Sequence, residues 1–141
     1  MPSTAVELEP VPRADWREFC EAFGRSHRGW LVTVSRVDTK KLLAGRERAL
    51  AGAETLCREQ ALHEVDDATT GESADSLLIA VMAGEDETWI MVDQVTALFD
   101  ERVSGGDFGL RMDCADGTTT LLEFRVGADP ETLDGLGVDE L

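Results

Sequence analysis

From Ser76 to Val126 the chain breaks into short apolar segments separated by turn residues, and this pattern constrains the fold more than any other feature. Ser76–Met82, Thr88–Val92, Val95–Phe99, Phe108–Asp113 and Thr118–Val126 read as strands. Gly84-Glu85-Asp86, Asp93-Gln94, Ser104-Gly105-Gly106-Asp107 and Asp116-Gly117 read as the turns between them. In the last strand Leu122, Phe124 and Val126 alternate with Leu121, Glu123 and Arg125, a period of two that sorts side chains onto two faces. Short connections place successive strands side by side, so an antiparallel meander is the simplest topology.

Upstream the period changes. Trp16, Phe19, Cys20 and Phe23 fall at i, i+3, i+4 and i+7, the apolar stripe of a helix. Asp15 followed by Glu18 matches a capping-box start, and Gly24 supplies a stop. Trp30, Val32 and Val34 then face one way along a strand that ends near Val37. Leu42, Ala49 and Leu56 recur every seven residues, which predicts a second helix over 39–51. Gly45 and Gly52 each cost it about 0.8–1.0 kcal/mol relative to alanine. A strand near 55–65 follows, then a polar loop from Val65 to Asp75.

The expected fold class is therefore α+β: an N-terminal helix packed on an antiparallel, curled sheet of about five or six strands. Its core candidates are Trp16, Phe19, Phe23, Trp30, Val32, Val34, Leu78, Ala80, Ile90, Val92, Leu122 and Phe124. The 141 residues fit one domain. Pro2, Pro10 and Pro12 mark residues 1–12 as a flexible arm. Residues 13–126 form the domain, and 127–141 an acidic tail with five carboxylates and no basic residue.

Charge decides which partners are admissible. The formal net charge is −16, and it is lopsided. Residues 1–58 carry 10 basic and 8 acidic side chains; residues 59–141 carry 3 and 21. Between Arg58 and Arg102 there is no Lys or Arg among 12 carboxylates. Such a surface repels nucleic acid. A carboxylate face solvated in a saline cytoplasm, one relieved by packing against the Arg-bearing part, and one that steers a basic protein are all consistent with it. No apolar run reaches the ~20 residues of a membrane helix. No basic-then-apolar leader opens the chain, and three cysteines make no disulfide framework, so a cytoplasmic setting is expected.

Chemistry-bearing motifs are scarce. No phosphate loop, dinucleotide fingerprint or G-x-S-x-G elbow occurs. Asp107-Phe108-Gly109 spells the kinase metal-binding tripeptide without any of its companions, and reads as coincidence. Cys57 and His63 lack the paired spacing of a zinc site, and the loop acids lack the order of a calcium loop. No cofactor, metal or catalytic residue is expected.

One resemblance can be drawn. Trp16 and Phe19 on the first helix, His27-Arg28-Gly29-Trp30-Leu31-Val32 opening a strand, and Asp116-Gly117-Thr118-Thr119-Thr120-Leu121-Leu122-Glu123-Phe124 near the end resemble a family of small bacterial proteins that form a domain of unknown function. The likeness covers about residues 12–126. It implies kinship of fold and brings no catalytic residues.

The functional expectation is a non-enzymatic protein-interaction or self-associating accessory domain. Its contact carboxylates would be Glu85, Asp86, Glu87, Asp100 and Glu101, meeting a basic protein or, across a two-fold axis, a second copy. Two alternatives stand beside it. One is a small-molecule-binding or hydrolytic domain with a pocket between helix and sheet near His27 and Arg28. The other is a DNA-mimicking inhibitor of a basic protein.

Overall fold

The structure, a computed structural model, describes residues 6–68, 75–104 and 106–125. Its first strand, β1 (Glu7–Pro10), leads through a 3-10 turn (Arg13–Asp15) into helix α1 (Trp16–Ser26). Strand β2 (Leu31–Asp38) is followed by helices α2 (Thr39–Ala44) and α3 (Arg46–Ala51). Strands β3 (Glu54–Asp67), β4 (Leu77–Ala83), β5 (Asp86–Val92), β6 (Val95–Val103), β7 (Gly106–Cys114) and β8 (Thr118–Phe124) complete the fold. No helix among the described residues is long and apolar enough to cross a membrane.

All eight strands join one antiparallel sheet in the order β1-β6-β7-β8-β2-β3-β4-β5. The α+β class and the antiparallel sheet are as expected; the count of five or six strands and the curl are not. Among the described residues the sheet is open, with β1 and β5 at its edges and no ladder between them. One uncounted strand comes from the supposed arm: Glu7–Pro10 pairs with Phe99–Arg102 of β6. The tail from 127 onward lies outside the described residues.

The meander holds in two halves, β3-β4-β5 and β6-β7-β8, and breaks between them. β5 and β6 are six places apart in the strand order, yet only Asp93 and Gln94 separate them. Gln94 takes a left-handed φ of 60° there, and the Val95 amide donates to the Asp75 carbonyl at 2.8 Å.

Each face of the sheet has its own cover. On one, α1 inserts Trp16, Cys20 and Phe23 among Val32, Val34, Val65, Leu98, Leu110, Met112 and Leu122. Phe23 stacks on Phe124 with ring centres 5.6 Å apart. Gly24 does not stop α1; it lets the helix touch β3, since a methyl there would sit 2.9 Å from the Val65 amide nitrogen. Asp15 precedes the helix without making a side-chain cap. On the other face Leu42 and Ala49 cover Val37 and Leu121. The seven-residue interval is thus one apolar stripe carried over two six-residue helices, broken at Gly45.

Three core expectations need correction. Phe19 is only half-buried, packed against the rim of the core. Trp30 is 46% exposed, because it lies just ahead of β2 where the covered face ends; it packs edge-on against His27 and Phe124. Leu78 is only half-buried, since its neighbour Ile79 takes the inward position.

Candidate functional site

The five expected contact carboxylates do not share a surface. Glu85, Asp86 and Glu87 are exposed at the β4–β5 turn and along the start of β5. Asp100 and Glu101 lie on β6, where strand alternation sends them to opposite faces. Asp100 pairs with Leu110 and turns to the α1 side; Glu101 pairs with Gly109 and turns to the α3 side. Glu101 is completely buried, and Asp100 is 7% exposed. Neither is available as part of an outer acidic face.

Glu101 is held by Arg46, whose Nη1 and Nη2 donate to its two oxygens at 3.1 and 3.0 Å. The same guanidinium donates to Glu123 Oε2 and lies over the Phe108 ring, 5.1 Å from its centre. This cluster ties α3 to β6, β7 and β8. Burial pushes the Glu101 carboxyl above its usual range, and the Arg46 hydrogen bonds oppose that shift.

His27 and Arg28 likewise part company. The His27 ring places Nδ1 2.8 Å from the Phe23 carbonyl oxygen and Nε2 2.8 Å from Asp107 Oδ2. The ring is enclosed by Phe23, Trp30 and Phe124. Arg28 points instead to β3, donating to the His63 carbonyl at 3.2 Å. Among the described residues the two side chains therefore do not converge on one pocket. Among the described residues no hydroxyl or thiol bonds to His27, so no nucleophile is poised against it.

The tripeptide set aside as coincidence has three packing tasks. Asp107 anchors His27, Phe108 underlies Arg46, and Gly109 lets β7 approach the Leu122 carbonyl. The cysteines are unsuited to nucleophilic work. Burial, with nearby carboxylates, pushes the Cys20 thiol up to about 12 and the Cys114 thiol up to about 11.

A groove of about 490 Å³ does lie between helix and sheet, beside α1 and the β1–β6 edge. Pro10, Val11, Pro12, Phe19 and Ala22 supply its apolar lining; Glu9, Asp15, Glu18, Asp100 and Arg102 supply charge. Asp100 stands out within it. Arg102 Nε donates to its Oδ2 at 3.2 Å, while Oδ1 is buried and has no hydrogen-bond partner among the described residues. Burial pushes this carboxyl above its ordinary value, outweighing the Arg102 hydrogen bond. The sequence held a signal: Asp100 is two residues from Leu98 on one strand, hence on the core face. No group of three or more His, Cys, Asp or Glu among the described residues is placed to hold a metal ion.

The orphaned oxygen has a stability consequence. The folded chain holds the Asp100 proton more tightly than the unfolded chain, so the group's favourable contribution is complete below the ordinary Asp value of 3.8 and is lost as pH rises through the raised folded value. Asp100→Asn removes the buried charge and is expected to stabilise the chain at pH 7 by about 1 kcal/mol. The advantage should vanish at acid pH. Urea unfolding of both chains from pH 3 to 8 measures it, and an unchanged difference across that range would contradict the assignment.

Comparison with family models, with curated proteins and with solved structures finds no match for this chain.

Proposed function

We propose that the protein is a non-enzymatic interaction domain whose β5 edge receives an extended segment of a partner rich in basic and apolar residues. The observation that carries this reading is the makeup of β5 itself. It is a seven-residue edge strand with one side of its backbone unpaired by any other strand among the described residues. It begins at Asp86-Glu87, next to Glu85, and leaves Trp89 64% and Met91 46% exposed. An unpaired edge offers main-chain hydrogen bonds, alternate side chains give selectivity, and the carboxylates favour a cationic approach. Leu78, half-buried, stands across from Met91 in the ladder and extends the apolar surface. The kinship suggested by the His27-Arg28-Gly29-Trp30 segment is proposed on the same footing and adds no activity. Since Asp100 and Glu101 are inside, the row of evenly spaced anions that a DNA mimic needs gains nothing from them.

A fluorescent peptide of alternating lysine and valine, with its glutamate–valine counterpart, tests the reading by anisotropy. The lysine peptide should bind and the glutamate peptide should not. Reversing Glu85, Asp86 and Glu87 to lysine should weaken binding at least roughly tenfold, and so should Trp89→Thr, which leaves the charge unchanged. Equal binding by the wild type and Trp89→Thr would reject β5 as the site and leave only bulk charge attraction. If the chain sediments as a dimer that Trp89→Thr converts to a monomer, the occupant of the edge is a second copy.

A further inference from the structure

The groove beside α1 lies on another part of the molecule from β5, and its properties are those of a ligand site. We infer that it binds a primary alkylammonium group, with the nitrogen at Asp100 and the alkyl chain along Phe19 and Ala22. Three features specify that chemistry. First, the Asp100 side chain is only 10% exposed and lines the groove, and its Oδ1 lacks the hydrogen bond that a buried carboxylate oxygen needs. The terminal torsion of an aspartate is broad, so a modest rotation of the carboxyl turns that oxygen to the opening.

Second, the remaining charges select the sign of the ligand. Glu9, Asp15 and Glu18 stand on the groove with Asp100, against one cation among the described lining residues, Arg102. Arg102 is already committed, with Nε 3.2 Å from Asp100 Oδ2 and 3.7 Å from Glu9 Oε1. Third, the shape and chemistry discriminate among cations. A guanidinium prefers both oxygens of a carboxylate, and Arg102 occupies one. Calcium and magnesium need several converging oxygens, and no such cluster exists among the described residues. An ammonium carries three donors on a compact head and needs one strong acceptor, with secondary acceptors nearby. The volume of about 490 Å³ lies in the range of small-molecule sites and suits a short chain.

Titration calorimetry on the full chain at physiological salt tests this with 1,5-diaminopentane and Nα-acetyl-lysine methylamide as probes. n-Butylguanidinium, n-pentanol and Ca²⁺ serve as comparators. Saturable one-to-one binding of an amine is expected, weaker by roughly tenfold or more in Asp100→Asn and in Ala22→Phe. Ala22 is exposed, so the second variant fills the groove while leaving charge and core intact. The double variant Glu85→Gln, Glu87→Gln should bind like the wild type. Tighter binding of the diamine assigns a free polyamine as the ligand class; tighter binding of the lysine derivative assigns a lysine side chain. Equal affinity in all variants, equal affinity for pentanol, or preference for guanidinium or Ca²⁺ would overturn the inference. The β5 edge is judged separately, by Trp89→Thr with the extended lysine–valine peptide, so loss of amine binding in Asp100→Asn or Ala22→Phe leaves that reading untouched.

Discussion

Replacing Arg46 with alanine is expected to lower the unfolding free energy by about 3–5 kcal/mol, the range for removing one partner from a buried ion pair. The size follows from what remains. Glu101 is fully buried, and Arg46 satisfies both of its oxygens at 3.0 and 3.1 Å. Without the guanidinium, a carboxylate stays inside the protein without its hydrogen-bonded counter-charge, and Glu123 faces it across the vacated space. The loss should be largest at neutral pH and shrink as pH falls, because Glu101 then takes up a proton. Urea denaturation followed by tryptophan emission measures it. Pairing Arg46→Met with Glu101→Leu should recover much of the loss, since a well-packed apolar pair often matches a buried ion pair. A loss below about 1 kcal/mol for Arg46→Ala, the scale of exposed pairs, would mean that α3 is anchored by other contacts.

Gly109→Ala is the second change with a large expected effect, a loss of about 3 kcal/mol or more. A methyl on Gly109 would meet the Leu122 carbonyl oxygen, and both are backbone-fixed by the β7–β8 ladder. No side chain can swing away to make room. The strands must separate, which disturbs the pairing of Leu110 with Leu122 in the centre of the core. Gly45→Ala is the matched comparison. Its φ of 167° is ordinary extended backbone, and no atom lies within 4 Å of the added methyl. That variant should stay within about 0.5 kcal/mol of the wild type. Thermal unfolding of the two side by side separates a steric clash from any general intolerance of glycine replacement.

What could be read from the residues was whatever local period controls. The stripe Trp16, Phe19, Cys20 and Phe23 predicted α1, and the alternation around Leu122 predicted β8 and its inward face. β1 was missed because the alternation of Glu7, Leu8 and Glu9 is short and runs into Pro10 and Pro12, which mark an arm; its strand state depends on β6, about ninety residues away. The charge clusters failed for a related reason. Counting placed Asp100 and Glu101 on an outer face, yet their surroundings are set by Leu110 across the next strand and by Arg46 and Glu123, supplied by α3 and β8. His27 with Asp107 is the same case: 80 residues separate them, and no spacing rule joins them. Glu85, Asp86 and Glu87 were placed correctly at the surface because a turn needs no partner to be exposed.

The position of β8 between β7 and β2 has a consequence for how the molecule is made. On the ribosome, β2 emerges some eighty residues before the strand that will lie against it. Until Thr118–Phe124 arrives, Val32, Val34 and the ladder side of β2 stay open to any other extended chain nearby. Pairing so distant is slow to nucleate. Nascent chains are most at risk of sticking together during that interval, before the final hairpin closes the gap.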